Sequence, residues 1–437
     1  MRQLKSLVAA LLPSVLAAGI ARAETVMPPI IAVSASPPGG YQPANATPPF
    51  TPAQIQQAYG IGLIQAGSIA GDGSGQTIAI VDAYHYPNAL ATLNTFSSTC
   101  GLPQFNATGG PTFTQLDQNG GTNYPATNST WAGEEALDIE WAHAIAPKAN
   151  IILYEATDND LNGVANLETA VNTARNTSGV SVVSMSWGGG EFSGQTYWDS
   201  NLYTTPANRL ALHQGVTFVA ATGDTGSPGQ YPAYSPNVVA VGGTTLNLQN
   251  NNSYLSETGW SGSGGGISTQ EEKPPYQSPV LNLIGITRRA TPDVSFDADP
   301  ASGVLVYDPF NGGWFRDGGT SLAAPCWAGL IAIADQLRAD SSLGSLDGVT
   351  QTLPALYGLP ASDFHDITSG SNGGFTAVDG YDEVTGLGTP VANLLVADLA
   401  AVPEPSAFAL LASGAVAALG YAWRRRRATV NGYPWVQ

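Results

Sequence analysis

Short β-branched runs recur between helical stretches through the first half of this chain. Runs at residues 77–81, 150–154, 180–185, 216–220 and 238–241 lack polar alternation, the pattern of strands covered on both faces. Helical stretches near 88–96, 132–146, 161–175 and 206–214 fall between several of them. Parallel neighbours need a crossover, usually a helix, to return the chain to the same edge. The rhythm therefore predicts an α/β fold with one open, mainly parallel central sheet and helices on both faces. Active sites of such folds collect at the carboxyl ends of the strands. Thr51 as an N-cap with Pro52 at the first helical position marks the start of the folded part. The Gly-rich stretch 261–266 reads as a flexible loop; no strand feeds through it into a helix, so it is not a phosphate loop.

The stretch 131–147 reads as one amphipathic helix with misplaced polarity. At about 100° per residue, Glu134 and Asp138 share a face with Leu137, Trp141, Ala142 and Ile145. Glu140 and His143 are expected on the solvent face, with Glu135 on the flank. An unpartnered carboxylate in an apolar stripe is costly, and its usual response is a raised pKa. Two readings follow from this helix alone: an edge rotated toward solvent, or a pair of carboxylates kept for proton chemistry.

The 437 residues suit two or three domains or one large α/β domain, and the net charge is -18. Seven of the fifteen basic residues lie near the termini, which leaves eight against 31 acidic ones between Thr25 and Ala401. Phosphate binding needs clustered Lys and Arg, so nucleic acid is not an expected partner. The balance suits a secreted protein working in acid, where carboxylates lose their charge. Cys100 and Cys326 are the only cysteines; they either form one disulfide or, since Cys326 falls in an apolar helix, stay free.

Both ends carry targeting features. Residues 1–23 have Arg2 and Lys5, an apolar run 7–20 and the cleavage site Ala21-Arg22-Ala23, as in a secretory signal peptide. Residues 24–50 read as a Pro-rich extended linker. Near the other end, Pro403-Glu404-Pro405 precedes an apolar run 406–423 and four arginines, Arg424 to Arg427. That order resembles the PEP-CTERM sorting signal of Gram-negative bacteria over residues 402–427, followed by a tail, 428–437. The resemblance implies export to the cell envelope or beyond, membrane contact only through this segment, and a sorting enzyme of the exosortase type cutting near Pro-Glu-Pro. A plain membrane anchor is the alternative for the apolar run.

Ser321 follows Gly318-Gly319-Thr320 and opens an apolar helix. A helix N-terminus favours developing negative charge and suits a nucleophilic serine, although a serine there is also a common cap. A nucleophile needs a base. None of the four histidines, His85, His143, His213 and His365, has a setting that suggests one. Glu134 fills that role, with Asp138 one turn on to orient it, and a carboxylate base points to acid pH.

Together these stretches resemble the sedolisin family of serine-carboxyl peptidases, over residues 51–398. The resembling strings are Gly133-Glu134-Glu-Ala-Leu-Asp138, Gly319-Thr-Ser321 and Thr222-Gly-Asp224-Thr-Gly226. The resemblance implies a subtilisin-like fold and a monomer that hydrolyses proteins or peptides. Ser321 would be the nucleophile, Glu134 the base, Asp138 its support and Asp224 the oxyanion donor. Trp187, in Ser184-Met-Ser-Trp187-Gly, would steady the acidic network. Asp82 stands where some members carry a supporting Glu, with a shorter reach. The resemblance also implies one structural calcium, with carboxylates from Asp366 and Asp382 and backbone oxygens from Ile367, Val378 and Gly380. Members usually carry a long prodomain, for which residues 24–50 are too short. A catalytically inactive surface or matrix protein on the same fold, and a His-dependent relative, are the competing readings.

Overall fold

The computed structural model describes residues 33–34, 47–159 and 166–404. Its main sheet runs in the order Tyr254–Gly259, Val239–Leu248, Thr217–Ala221, Val180–Met185, Thr77–Ala83, Asn150–Ala156, Phe113–Asp117, and Val294–Asp297 also pairs with Val239–Leu248. Every pairing is parallel except that of Tyr254–Gly259. The central strand Thr77–Ala83 has Asn150–Ala156 on one side and Val180–Met185 on the other, so the winding reverses around it. A crevice opens at the carboxyl ends of strands at such a switch point.

Strand parity sorts the side chains between two cores. Ile78, Ile80, Ile151, Leu153 and Val182 pack with the helices Ser129–Ile145 and Thr320–Asp340. Ala79, Val81, Val183, Met185 and Phe218 pack with Leu167, Ala170 and Val171 of the helix Asn166–Asn176 on the other face. The expected helices on both faces are therefore present. The same parity carries Asp82, Glu155 and Ser184 onto the first face at the strand ends, and Asp82 sits opposite Glu155 in register.

Ser129–Ile145, here the carboxylate helix, starts two residues earlier than expected, because Asn128 accepts from the N–H groups of Thr130 and Trp131. It has no solvent face. Glu135, Glu140 and His143, expected outside, are fully buried. The helix is wedged between the sheet and helix Thr320–Asp340 on one side and the helix Ala89–Cys100 and strand Val304–Asp308 on the other. Two of these side chains find one partner each there: Tyr307 N–H donates to Glu140 at 3.0 Å and His143 Nε2 lies 2.9 Å from the Pro103 carbonyl. Trp141 donates its indole N–H to the Leu305 carbonyl at 3.1 Å.

Thr320–Asp340, here the serine helix, packs against it closely because position 329 is glycine: a Cβ there would lie 2.7 Å from Ile145 Cβ. Pro325 lies inside this helix. It has no N–H for the Ser321 carbonyl, and the Ser186 hydroxyl lies 3.2 Å from that oxygen instead.

Other expectations change. The 261–266 stretch is packed, not flexible: Gly264 N–H donates to the Gly223 carbonyl at 2.6 Å, and Ser263 is fully buried. The helix expected at 206–214 is only Ala207–Leu210. Within the expected linker, Val33–Ser34 pairs antiparallel with Gly313–Asp317. Cys100 and Cys326 are free thiols. Thr51 and Pro52 begin a helix as expected, through a capping box with Gln54. Among the described residues no helix is long and apolar enough to cross a membrane. The signal peptide, the apolar run 406–423 and the tail lie outside the described residues.

Candidate active site

Four chain segments meet at the carboxyl edge of the sheet. Gly319, at φ 106°, is the N-cap residue of the serine helix, so Ser321 lies within the first turn. Its hydroxyl is buried and makes no hydrogen bond, which removes the capping role. Glu134 comes from the carboxylate helix, fully buried, with both carboxyl oxygens unpartnered. The Ser321 hydroxyl is close enough to draw the Glu134 pKa down, yet in the resting geometry the two are not aligned as a hydrogen bond. Asp138, one turn on, accepts from the Ser186 hydroxyl at 2.9 Å through Oδ1, while Oδ2 is free. Ser186 therefore bridges Asp138 to the backbone of the nucleophile.

Asp82, next to last in the central strand, is close enough for its charge to act on Glu134 and Asp138, and is fully buried with both oxygens unpartnered. Burial, then the charge of Glu155, pushes its pKa up to about 8. Burial also raises Glu134 well above the carboxylate range, followed by Asp138 and Asp82; Asp138 is raised by burial and then Asp82. Glu135 is raised by burial, then Glu155 and Asp82. Among the described residues, none of these four carboxylates makes an ion pair with a cationic side chain. Keeping an unpaired charge out of water costs several kcal/mol, more than burial of one apolar side chain returns at roughly 1.5–3 kcal/mol. Protons shared within the cluster are the cheaper solution. Glu155 differs: His85 Nδ1 at 2.8 Å, Tyr86 N–H at 2.8 Å and Gln115 at 2.5 Å surround its carboxylate.

Asp224 lies three residues beyond the strand Thr217–Ala221. Its Oδ1 accepts from Thr320 N–H at 2.8 Å and from the Thr320 hydroxyl at 2.6 Å, which ties it to the residue before Ser321. Oδ2 is buried and unpartnered. Burial pushes the carboxyl up to about 7, against the two Thr320 donors. Below that pH the proton belongs on Oδ2, because Oδ1 already accepts twice, and a neutral carboxyl is a hydrogen-bond donor.

Trp187 is buried and donates its indole N–H to the Val81 carbonyl at 2.8 Å, which fixes the strand end next to Asp82. The structure thus brings together Ser321, Glu134, Asp138, Asp224, Asp82 and Trp187. It adds four residues given no role from the sequence. Ser186 was legible only as the next same-face position after Val182 and Ser184. Thr320 looked like part of the glycine turn. Glu135 was placed on a flank. Asp317 is buried with Oδ2 unpartnered, and its charge acts on Glu134 and Asp138; nothing in its local sequence distinguished it.

The expected calcium ligands lie around one turn. Gly380 N–H donates to Asp366 at 3.0 Å and Val378 N–H to Asp382 at 3.0 Å; Asp382 also accepts from the N–H groups of Val384 and Thr385. Val378 and Gly380 therefore turn N–H groups, not carbonyl oxygens, toward the two aspartates. The two aspartates supply carboxylate oxygens, a donor type calcium takes, with Asp379 close enough to raise Asp366 after burial does. Among the described residues no group of three or more His, Cys, Asp or Glu side chains converges as a metal site.

A helix-flanked parallel sheet with a serine at a helix start, faced by buried carboxylates at the strand ends, defines the class as an α/β protein of subtilisin-like fold. Residues 119–351 match the model of the subtilase family, so the chain belongs to that family. Residues 401–427 match the PEP-CTERM protein-sorting motif. The chain is 34% identical to kumamolisin from Bacillus sp. (strain MN-32) over 379 residues, 78% of this chain and 62% of kumamolisin. It is 31% identical to sedolisin from Pseudomonas sp. (strain 101), over 72% of this chain and 56% of sedolisin. It therefore spans a little over half the length of these curated relatives. A solved structure of Pseudomonas sedolisin, described as a serine-carboxyl proteinase complexed with two molecules of pseudo-iodotyrostatin, superposes with a TM-score of 0.64 at 29% identity. That superposition covers 79% of this chain and 96% of the sedolisin chain.

Proposed function

We propose that the protein is an exported serine-carboxyl endopeptidase that hydrolyses peptide bonds in acid. The observation that supports this reading is that Ser321 lies close to Glu134, while its neighbour Thr320 holds Oδ1 of Asp224 and leaves Oδ2 free. Ser321 Oγ attacks the substrate carbonyl and passes its proton to Glu134. Asp138, held by Ser186, shares the proton of the pair, so that Glu134 is ionised when Asp138 is neutral. Asp224 donates from Oδ2 to the developing oxyanion. Glu134 then protonates the leaving amine, and a water returns along the same path to release the acyl group. Asp82, with its pKa pushed up to about 8, is neutral in acid and adds its proton to the cluster, and Trp187 holds the strand end that carries it.

We further propose one calcium at the Asp366–Asp382 turn, with Ile367, Val378 and Gly380 contributing carbonyls after the turn reorients. When bound, the ion would join the two aspartate segments and neutralise them. The sorting-motif match supports export, with residues 1–23 as the signal peptide and an exosortase-type enzyme as processing partner.

The test is digestion of casein by the wild-type and Ser321→Ala proteins at roughly pH 3 to 5. The variant is expected to fold normally and lose at least about three orders of magnitude in rate. Retained activity, or a wild-type optimum in alkaline solution, overturns the assignment.

A further inference from the structure

The last described residues hold a contact that neither catalysis nor the sorting motif explains. Arg338 lies in the last turn of the serine helix and is fully buried. All of its donors that find partners are spent on two segments. Nε donates to the Gly344 carbonyl at 2.7 Å, Nη1 to the Val402 and Ala400 carbonyls, and Nη2 to Glu404 Oε1 at 2.9 Å. Gly344 N–H donates to the same Glu404 oxygen at 2.8 Å, and His213 Nδ1 lies 3.2 Å from Oε2. Gln351 donates to the Pro403 carbonyl at 3.0 Å. Glu404 is the acid of Pro403-Glu404-Pro405. In a chain with eight basic residues between Thr25 and Ala401, a buried one is committed to it.

The pocket belongs to the folded domain. Gly344 is forced to be small, since a Cβ there would lie 1.8 Å from the His213 carbonyl. That close approach lets position 344 present its N–H beside His213. Bridging between Gln214 and Ser345, with Gly215 N–H donating to the Ser345 carbonyl at 3.2 Å, fixes the two walls. The Glu404 side chain is only 15% exposed, with donors on both carboxylate oxygens.

We propose that the domain carries a receptor site for Val402-Pro403-Glu404 of its own sorting element, and that this latch gates processing by the sorting enzyme. Any enzyme that reads Glu404 must contact a carboxylate whose oxygens are already taken, so the latch has to open first. The apparent rate of processing is then scaled by the open fraction. Charge-assisted hydrogen bonds of this kind hold a segment closed by roughly tenfold to a hundredfold. The gate rests on the reading of residues 402–405 as a processed sorting element; the docking does not.

Two measurements on the full-length chain separate these parts, with Ser321→Ala as background to prevent self-digestion. The first is carbodiimide footprinting of carboxylates read by mass spectrometry. Glu404 should label at least about tenfold more slowly than Glu272, whose side chain is 84% exposed. Arg338→Lys should remove most of that protection; His213→Ala, at a side chain 54% exposed on the pocket rim, should remove part of it without disturbing the core. Equal labelling of Glu404 and Glu272 in the parent overturns the docking. The second is cleavage by membranes carrying the sorting enzyme. The latch variants should be processed faster, up to about a hundredfold for Arg338→Lys. Unchanged rates despite released Glu404 overturn the gate. Absence of cleavage in every variant overturns the sorting reading while leaving the docking to the footprint.

Discussion

Replacing Asp224 by Asn tests the oxyanion assignment through the shape of a pH profile. Asp224 must be neutral to donate, and burial pushes its pKa up to about 7. As pH rises through that value the donor becomes an anion facing an oxyanion. About 99% of the group is neutral at pH 5 and about 9% at pH 8, so wild-type kcat/KM should fall about tenfold over that interval from this group alone. In the Asp224→Asn variant, the two donors of Thr320 hold the side-chain oxygen where Oδ1 now sits, and the amide N–H₂ takes the place of Oδ2. An amide donates at every pH. The variant should therefore keep measurable activity and lose the alkaline limb, whereas Asp224→Ala should lose roughly 10²- to 10³-fold throughout. The assay is kcat/KM on a quenched fluorescent peptide from pH 3 to 9. A variant profile that still falls with the wild-type midpoint refutes the role of Asp224.

Three further outcomes are expected. Burial pushes Asp82 from the usual 3.8 up to about 8 in the folded protein, so its contribution to stability is fully present below the usual value and lost as pH rises toward 8; the wild-type melting temperature should drop between pH 4 and 8, and Asp82→Asn should recover on the order of a few kcal/mol at the upper end. Gly264→Ala would put a Cβ 2.0 Å from the Thr222 carbonyl, two residues before Asp224; displacement of that turn should lower kcat by about 10²-fold while circular dichroism is unchanged. A chelator should lower the melting temperature of the Ser321→Ala protein by several degrees, and Asp382→Asn should abolish that response; an identical melt with and without chelator removes the calcium proposal.

Local chemistry was well represented in the sequence. Uninterrupted β-branched runs can be stable only when covered on both faces, so the parallel sheet followed from 77–81, 150–154 and 180–185 without coordinates. The Gly-Gly-Thr-Ser321 turn, the Glu134–Asp138 spacing and the absence of a suitable histidine likewise reduced the chemistry to a serine with carboxylates. Among the expectations that failed, the most instructive is the outer face of the carboxylate helix. Periodicity assigns faces relative to one core, and this helix is enclosed by elements from 89–100 and 304–308 that no local pattern attaches to it.

What the sequence alone determined was therefore the kind of sheet, together with the candidate groups proposed to react on it. Only the tertiary structure decided their protonation and their partners. Burial depth, the register that sets Asp82 opposite Glu155, and the Thr320 link to Asp224 join residues up to 96 positions apart. So does the docking of Glu404 on Arg338. A pKa depends on the dielectric and on charges a few ångströms away in space, and neither is ordered along the chain.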